Sequence, residues 1–231
     1  VTSAWLRDEV APAARSVALV RNAGEFDAFR EPPAQVFRDE RGRRVIGYYG
    51  AIAEWFDVGL VRAVAQAEPD ALVLLVGNDT VDAAGQLADL PNVRCTGEVP
   101  YAGLPYWLHG FDVALLPFKV LPLTQATNPV KVYEYLAAGK PVVAVDLPEM
   151  AQFGGLVRTA SDAAGFVREV SAALAGQGGG ADAVARRQAF AAGQTWAHRA
   201  VELDQAIAAI VEPVVSVVVL AYNNLALTQA C

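Results

Sequence analysis

The chain runs Thr127-Asn-Pro-Val-Lys-Val-Tyr-Glu-Tyr-Leu-Ala-Ala-Gly-Lys-Pro-Val-Val143 near its middle, and this stretch predicts a capped helix that leads directly into a buried strand. Asn128 is a favoured N-cap residue, and Pro129 suits the first position of a helix. Gly139 suits the position just after a helix ends. The residues that follow, Val142–Val145, are rich in β-branched side chains and therefore favour a strand.

Two charged residues lie on the same side of this otherwise apolar helix. Lys131 falls in the first turn, where the helix dipole disfavours a cation by about 0.3–1 kcal/mol. Glu134 follows three residues later and is therefore its neighbour on the helix surface. A bound anion would explain the lysine and a hydroxyl-rich ligand the glutamate, which suggests a phosphorylated sugar or a nucleotide. An ordinary ion pair between the two side chains, worth only about 0.2–0.5 kcal/mol, is the simpler explanation from helix chemistry alone.

The composition is that of a folded protein with a large core. The chain has 231 residues, of which 54% are hydrophobic and 19% are charged, enough for one domain with extra material or for two small domains. Its net charge of −7 argues against a nucleic-acid-binding surface, which needs clustered Lys and Arg. Because the overall field repels anions, an anionic ligand has to be held by local devices such as helix N-termini.

The sequence indicates a protein of the reducing cytoplasm, or of the inner face of the membrane if the parent polypeptide associates with it peripherally. Cys95 and Cys231 form no disulfide framework, and neither they nor His109 and His198 have the spacing of metal ligands. The longest apolar run, around Val217–Tyr222, is far too short to cross a bilayer. The chain begins with Val and has no signal-peptide pattern, so we expect it to be a piece of a longer polypeptide.

Continuous apolar segments alternate with segments of helical spacing along most of the chain. The predicted strands are Val17–Val20, Val45–Tyr49, Ala71–Val76, Val93–Thr96, Val113–Leu116 and Val142–Val145. Besides the helix described above, the predicted helices are Val58–Ala67, Leu104–His109, Ala163–Ala175, Ala183–Ala192 and Trp196–Val211. Apolar strands that alternate with helices predict an α/β fold: a Rossmann-like open parallel sheet with helices on both faces.

In such a sheet, ligands bind beyond the carboxyl ends of the strands. The pattern Gly47-x-x-Gly50-x-x-Ala53 lacks the G-x-G-x-x-G spacing of a dinucleotide fingerprint, and Gly50-Ala51 is better explained as a place where a phosphate approaches the backbone. Aromatic residues at 101, 106 and 107 could flank a base, although aromatic core packing is the simpler interpretation.

Four ordered motifs resemble those of GT-B glycosyltransferases, in particular family 4 and its relatives. The stretch from Thr127 to Val143 is similar to the motif that binds the sugar donor in that family. The others are Val20–Phe29, similar to the interdomain segment, Gly47–Asp57, similar to the phosphate-side glycine loop, and Asn92–Gly97 with Phe111–Phe118, similar to the base-side strand and its successor. The resemblance covers about residues 15–210.

The resemblance implies which residues hold a nucleotide sugar. Glu134 matches the glutamate that binds the ribose hydroxyls, and Lys131 lies at the helix start beside the diphosphate, so these two are the candidate catalytic residues. The other candidate binding residues are Gly50 and Ala51 on the phosphate side, Gly97, Glu98 and Val99 at the base, and Thr127, Asn128, Pro129 and Val130 at the helix start.

The sequence departs from the family pattern at two places. Ala126 stands where the common motif has a second glutamate, eight residues before Glu134. The usual Arg and Lys of the glycine loop are replaced by Ala51 and by Glu54-Trp55. Lys131 would then supply part of the missing positive charge.

The implied function is that of the donor-binding domain of a glycosyltransferase in polysaccharide or glycan synthesis. A sugar would move from a UDP- or GDP-sugar to a hydroxyl of a glycan or lipid-linked acceptor, with no cofactor and no metal. Because the acceptor domain is missing, we expect the chain alone to bind nucleotide but to be inactive. The departures leave open a catalytically degenerate binding or scaffold module, and the fold leaves open a GT-B-type sugar-nucleotide epimerase.

The resemblance also implies a division of the chain. Residues 1–36 would end an N-terminal half, 37–180 form the nucleotide-sugar-binding domain, and 181–212 the C-terminal helices. The strand predicted at Val214–Leu220 has no sheet of its own, and residues 215–224 resemble the opening strand of family-2 (GT-A) glycosyltransferases, so 213–231 would be the truncated start of a second domain.

Overall fold

The structure, a computed structural model, describes residues 1–209 and contains one open sheet of six parallel strands. The strands are β1 (Val45–Tyr49), β2 (Leu72–Val76), β3 (Val93–Cys95), β4 (Val113–Leu116), β5 (Val142–Val145) and β6 (Val157–Ala160). They lie in the order β3-β2-β1-β4-β5-β6, and every neighbouring pair is parallel. The strand order therefore reverses between β1 and β4, which is where sheets of this kind bind ligands.

The sheet is covered by helices, as the sequence predicts. The α-helices are α1 (Ala4–Val10), α2 (Phe26–Arg30), α3 (Val58–Ala67), α4 (Ala83–Gln86), α5 (Leu104–His109), α6 (Pro122–Ala126), α7 (Val130–Ala137), α8 (Ala163–Leu174), α9 (Ala181–Ala192) and α10 (Trp196–Ala208). Three 3₁₀ segments lie at Ala11–Ala13, Tyr101–Gly103 and Pro148–Leu156. Helix α3 packs against α8, whereas α7 packs against α2 and α9. The Rossmann-like α/β prediction is confirmed.

The core sits in the middle of the sheet. Strands β1, β2, β4 and β5 are buried along their whole length, which is why their sequences are apolar without alternation. Helix α3 buries Leu60, Val61, Val64 and Ala65 on one face, as its spacing predicts. None of the helices in residues 1–209 combines the length and the apolar character needed to cross a membrane.

Helix α7 starts and ends for different reasons. The predicted N-cap, Asn128, is wrong: Pro129 occupies that position and the helix begins at Val130. The side chain of Asn128 is taken up by contacts with distant residues and so is not available to cap the first turn. The predicted stop is right, because Gly139 has a φ of +69°, a conformation that glycine adopts without strain.

Two further predictions fare differently. Residues 17–20 form no strand; they run outside the sheet, where the Val20 N–H donates to the carbonyl oxygen of Val1 at 2.9 Å. Strand β6 was not predicted because it lies at the sheet edge and buries only Val157, so its sequence lacks an apolar run. The strand predicted at Val214–Leu220 lies outside the described residues, as does the end of the helix predicted to Val211.

Candidate functional site

Two glycines bring the ends of the neighbouring strands β1 and β2 close together, next to the point where the strand order reverses. Gly50 follows β1 with a φ of +127°, and Gly77 follows β2 with a φ of +151°. A Cβ atom on Gly77 would overlap the carbonyl oxygen of Gly50, so only glycine fits there. The loop after Gly50 is tied down, because the Ile52 N–H donates to the Asn78 carbonyl at 2.8 Å. The phosphate-side loop is therefore held close against the end of β2.

The loop leaves the backbone N–H of Ala51 available to a ligand. The carbonyl of Ala51 accepts the hydroxyl of Tyr48 at 2.8 Å, but the exposed Ala51 N–H finds no acceptor in the described part of the chain. Free backbone N–H groups at such turns are suited to phosphate oxygens. Gly50 and Ala51, predicted as the phosphate side, thus offer a donor at the carboxyl edge of the sheet.

Lys131 reaches from the first turn of α7 to this same loop. A Cβ atom on Gly50 would lie 2.7 Å from its Cε, so the glycine makes room for the lysine side chain. Its Nζ lies 5.6 Å from the ring centre of Tyr48 and 5.5 Å from that of Phe118. Among residues 1–209 the ammonium makes no hydrogen bond and no ion pair. Burial lowers the pKa of Lys131, and the charge of Glu134 offsets this in part.

Glu134 lies one turn further along α7 and is buried, with 3% of its surface exposed. Its Oε2 accepts the hydroxyl of Tyr49, and its Oε1 accepts the hydroxyl of Tyr101 at 2.7 Å. Burial, followed by the charge of Glu134, raises the pKa of Tyr49 well above its usual value, so that hydroxyl stays a donor. The alternative of a simple ion pair between Lys131 and Glu134 is therefore wrong, because each side chain has other surroundings.

The polar side chains just before α7 point elsewhere. The Thr127 hydroxyl donates to the carbonyl of Leu123 at 2.6 Å and so caps the end of α6. Pro129 is buried, and Val130 opens the helix. The backbone of the predicted residues 127–130 lies next to Lys131 in the chain. The polar side chains of these residues, however, bond elsewhere and not in the site.

Asn128 belongs instead to a buried polar network that no local sequence pattern predicts. Its Nδ2 donates to Glu149 Oε2 at 2.8 Å, and its Oδ1 accepts the Asn22 N–H at 2.9 Å. Glu149, only 1% exposed, also accepts Arg21 Nε at 2.8 Å and the Ala4 N–H at 2.7 Å. This network joins the N-terminal segment to the start of α7, so Asn128 positions the helix.

The predicted base-side segment follows β3. Gly97 has a φ of +77°, and its carbonyl accepts the Gly77 N–H at 2.9 Å, which links it to the end of β2. Glu98 is exposed, whereas Val99 is half-buried and packs against the core. Two residues later the chain reaches Tyr101, so the segment connects directly to the side chain that covers Glu134.

The aromatic residues that could flank a base separate into two groups. Tyr106 and Trp107 pack on Phe37, with ring centres 6.4 and 5.1 Å away; Trp107 packs against the core, whereas Tyr106 is exposed. Tyr101 is exposed over 52% of its surface and contacts Glu134. Sequence reasoning missed Tyr49 and Tyr101 as neighbours of the glutamate, because 85 and 33 residues separate them from it and no local pattern links them.

A cavity of about 290 Å³ lies beside the site, at the ends of β4, β5 and β6. The helices that open onto it, α3 and α8, are capped by Asp57 and Asp162, whose carboxylates accept the N–H groups of Leu60 and Gly165. Two carboxylates at these helix starts disfavour a second anion there. The cation at Lys131 is thus the better position for an anionic ligand. In the part of the chain that the structure describes, no three His, Cys, Asp or Glu side chains converge.

Comparison with known proteins identifies relatives in sequence. A family model described as "Glycosyl transferases group 1" matches residues 43–176. The protein TuaH of Bacillus subtilis (strain 168), named provisionally as a teichuronic acid biosynthesis glycosyltransferase, is 33% identical over 135 residues. The match covers 56% of this chain and 34% of TuaH, so the chain spans about a third of the length of that relative.

Solved structures share the fold at low sequence identity. Anabaena HepE in complex with UDP has a TM-score of 0.71 and 15% identity, over 84% of this chain and 57% of that one. HepE has also been solved with UDP-glucose. A glycosyltransferase of Rickettsia africae ESF-5 has a TM-score of 0.68 and 12% identity, over 92% of this chain and 63% of that one. The chain therefore spans little more than half of these solved chains.

Proposed function

Because the chain belongs to the glycosyl transferases group 1 family, we propose that it is the part of such an enzyme that binds the nucleotide sugar. The diphosphate would lie against Lys131 and the Gly50–Ala51 loop, and the ribose hydroxyls would bind Glu134. The base would lie along Gly97–Val99, beyond the end of β3. The nucleotide thus crosses the carboxyl edge of the sheet, where strand order reverses.

One observation carries this proposal: an unpaired, half-buried ammonium lies one helical turn from a buried carboxylate. Lys131 has no partner among residues 1–209 and is placed where the helix dipole opposes its charge. A bound diphosphate would give the ammonium a partner and would also offset the unfavourable interaction with the helix dipole. Glu134 offers a carboxylate, whose oxygens can each accept more than one hydroxyl and so can bind a vicinal diol. A nucleoside diphosphate carries both groups close together, which a plain anion or a plain sugar does not.

The same arrangement suits the chemistry of sugar transfer. Transfer breaks the bond between the anomeric carbon and a diphosphate oxygen, and forms a bond from that carbon to the acceptor hydroxyl, which loses its proton. Negative charge grows on the departing diphosphate, so a fixed cation and backbone N–H groups stabilise the transition state. Lys131, the Ala51 N–H and the start of α7 would supply this stabilisation.

We propose UDP as the nucleotide, with GDP as the alternative. The support is the fold shared with HepE, a protein solved with UDP and with UDP-glucose. The acceptor, a glycan or a lipid-linked sugar, would be bound by parts of the parent that this chain lacks, since the chain spans 34% of TuaH. We accordingly propose that the chain alone binds nucleotide and transfers sugar slowly or not at all; its cytoplasmic location likewise stays a prediction.

Calorimetric titration of UDP, GDP and inorganic pyrophosphate into the wild type and Glu134→Ala tests the proposal. We expect one nucleotide to bind, and its affinity to fall at least about tenfold in Glu134→Ala, because two hydrogen bonds to a charged group are lost. Glu9→Ala is the matched control, since Glu9 is an exposed residue of α1, near the start of the chain and distant in sequence from Glu134. Thermal unfolding establishes that each variant is folded.

Two results would contradict the proposal. The first is a wild type that binds neither nucleotide. The second is a folded Glu134→Ala variant that binds UDP as tightly as the wild type does, because the ribose would then be held elsewhere.

A further inference from the structure

Of the two hydroxyls that bond to the carboxylate of Glu134, one belongs to a side chain that stands at the surface. Glu134 is 3% exposed, although it lies at the carboxyl edge of an open sheet. One of its oxygens is engaged by Tyr49, which is itself buried. The other accepts the hydroxyl of Tyr101 at 2.7 Å, and Tyr101 is 52% exposed. A ligand hydroxyl that takes the place of the Tyr101 hydroxyl on this oxygen therefore requires the Tyr101 side chain to move away.

Few contacts hold Tyr101 in place. Its ring meets the edge of Phe29 with the ring centres 5.8 Å apart, and its hydroxyl has Glu134 as its partner. In the described structure the N–H groups of Glu98 and Val99, just before it, donate to no acceptor. Gly97, where the segment begins, has open space around its Cβ position. Segments with few buried contacts and few backbone hydrogen bonds open at low free-energy cost.

We propose that Tyr101 is a lid on the ribose site: its hydroxyl occupies Glu134 in the ligand-free protein, and the ribose diol of the nucleotide displaces it. This inference rests on the proposed function. Tyr49 stays in place as the fixed partner of the other carboxylate oxygen. The displaced Tyr101 remains attached to the Gly97–Val99 segment, beside the base. Every nucleotide that binds must break the Tyr101–Glu134 hydrogen bond, so the lid lowers affinity and keeps other hydroxylated solutes off the carboxylate.

The direction in which one substitution changes UDP affinity distinguishes a lid from a residue that only supports the structure of the site. Tyr101→Phe keeps the ring and removes the hydroxyl, so no hydrogen bond has to be broken when UDP binds. We expect UDP to bind about three- to tenfold more tightly, and the ligand-free variant to unfold at a lower temperature than the wild type. A tyrosine that only supports the site would give weaker UDP binding together with the lower unfolding temperature.

Tyr106→Phe serves as the control, because Tyr106 lies five residues further on and packs against Phe37 and Trp107 away from Glu134. Its UDP affinity should equal that of the wild type. Tyr101→Leu, which also removes the ring, should likewise bind UDP more tightly if the lid is displaced. Circular dichroism establishes that both Tyr101 variants are folded.

The outcomes distinguish this inference from the proposed function. If both Tyr101 variants bind UDP no more tightly than the wild type while Glu134→Ala loses binding, the lid is wrong and the ribose site stands. If the wild type binds no nucleotide, both are wrong. Tighter binding in both Tyr101 variants, with Tyr106→Phe unchanged, supports the lid.

Discussion

Lys131 is held in a position that is unfavourable for the ligand-free protein. Burial lowers its pKa, the helix dipole opposes its charge, and among residues 1–209 it has no carboxylate partner. The rings of Tyr48 and Phe118 offset part of this destabilisation, since an ammonium near an aromatic ring gains about 0.5–1 kcal/mol at exposed sites and more when desolvated. An unpaired ammonium in this position is what the proposed diphosphate would neutralise.

The variant Lys131→Met should therefore separate stability from binding. We expect its UDP affinity to fall at least about tenfold, because a charge-assisted contact to the diphosphate is lost. Its affinity for uridine, which has no phosphate, should change less than about twofold. Its free energy of unfolding should stay equal or rise, because a partly desolvated charge is removed. Calorimetry and denaturant unfolding measure the two effects.

The same lysine gives the binding a pH dependence of known sign. In the proposed function the charged form of Lys131 binds the diphosphate. Because the pKa of Lys131 is lowered, UDP affinity should decline as the pH rises through that lowered value. In Lys131→Met this decline should disappear. Lys119→Met is the control, since the Lys119 ammonium donates to the Glu54 carbonyl at 3.0 Å and makes no contact with Gly50. If Lys131→Met binds UDP as tightly as the wild type at every pH, Lys131 is not part of the binding site.

Among the elements, β1 illustrates a glycine with a packing role. Gly47 sits in the middle of the central strand, and a Cβ atom there would overlap the ring of Phe111. The first glycine of the pattern that resembles a dinucleotide fingerprint thus makes room for an aromatic ring inside the core. Gly50, three residues on, makes room for Lys131 at the site. Two glycines of one short motif therefore make room for different side chains, one in the core and one at the candidate site.

Gly47→Ala should lower the free energy of unfolding by about 1–3 kcal/mol through overpacking. Phe111→Leu should relieve the overlap, so the double variant should be more stable than the sum of the single effects by about 1 kcal/mol. Denaturant unfolding of the four proteins measures this coupling. Strictly additive losses would mean that the alanine is accommodated elsewhere, for example by movement of β1.

The elements also show where local sequence reasoning stops. Helix α7 and strand β5 were predictable because the apolar face, the stop at Gly139 and the β-branched run are all local signals. The start of α7 was not, because Asn128 bonds to Asn22 and Glu149, 106 and 21 residues away. A long-range network outweighs a capping preference worth about 1 kcal/mol.

At the scale of the whole molecule, the sequence predicted the parallel sheet and its helices, but not the strand order. The alternation of apolar strands with helices follows from local pattern, whereas the order β3-β2-β1-β4-β5-β6 depends on which strands pair. The candidate site depends on that order, since it brings Gly50 after β1, Gly97 after β3 and α7 after β4 to one edge. The four candidate motifs could be listed from the sequence; the contact of Tyr101 with Glu134 could not.

A second half-buried lysine, Lys140, makes the stability of the whole molecule depend on pH. The Lys140 ammonium donates to the carbonyls of His109 and Phe111, both at 2.8 Å, and so joins the end of α7 to the loop before β4. Burial lowers the pKa of Lys140 to about 8, and Asp112 offsets this in part. The folded protein thus holds this proton less tightly than the unfolded chain, whose lysine has the ordinary pKa of about 10.4.

The sign of the effect follows from which state binds more protons. Between pH 8 and the ordinary lysine pKa the unfolded chain keeps the proton and the folded protein releases it, so the free energy of unfolding rises with pH. We expect a gain of about 2 kcal/mol between pH 7 and 9.5. Above the ordinary tyrosine pKa of about 10 the trend reverses, because burial raises the pKa of Tyr48 well above that value and unfolding exposes its hydroxyl to ionisation.

Urea unfolding of the wild type, Lys140→Met and Lys119→Met at several pH values between 7 and 10 measures this dependence. Lys140→Met should flatten the rise, and Lys119→Met should keep it, because Lys119 is exposed. If the stability of the wild type instead falls steadily over this range, the hydrogen bonds to the two carbonyls raise the pKa of Lys140 more than burial lowers it. In that case Lys140 would act as a charged clamp on the start of β4, and Lys140→Met would be the less stable protein at every pH.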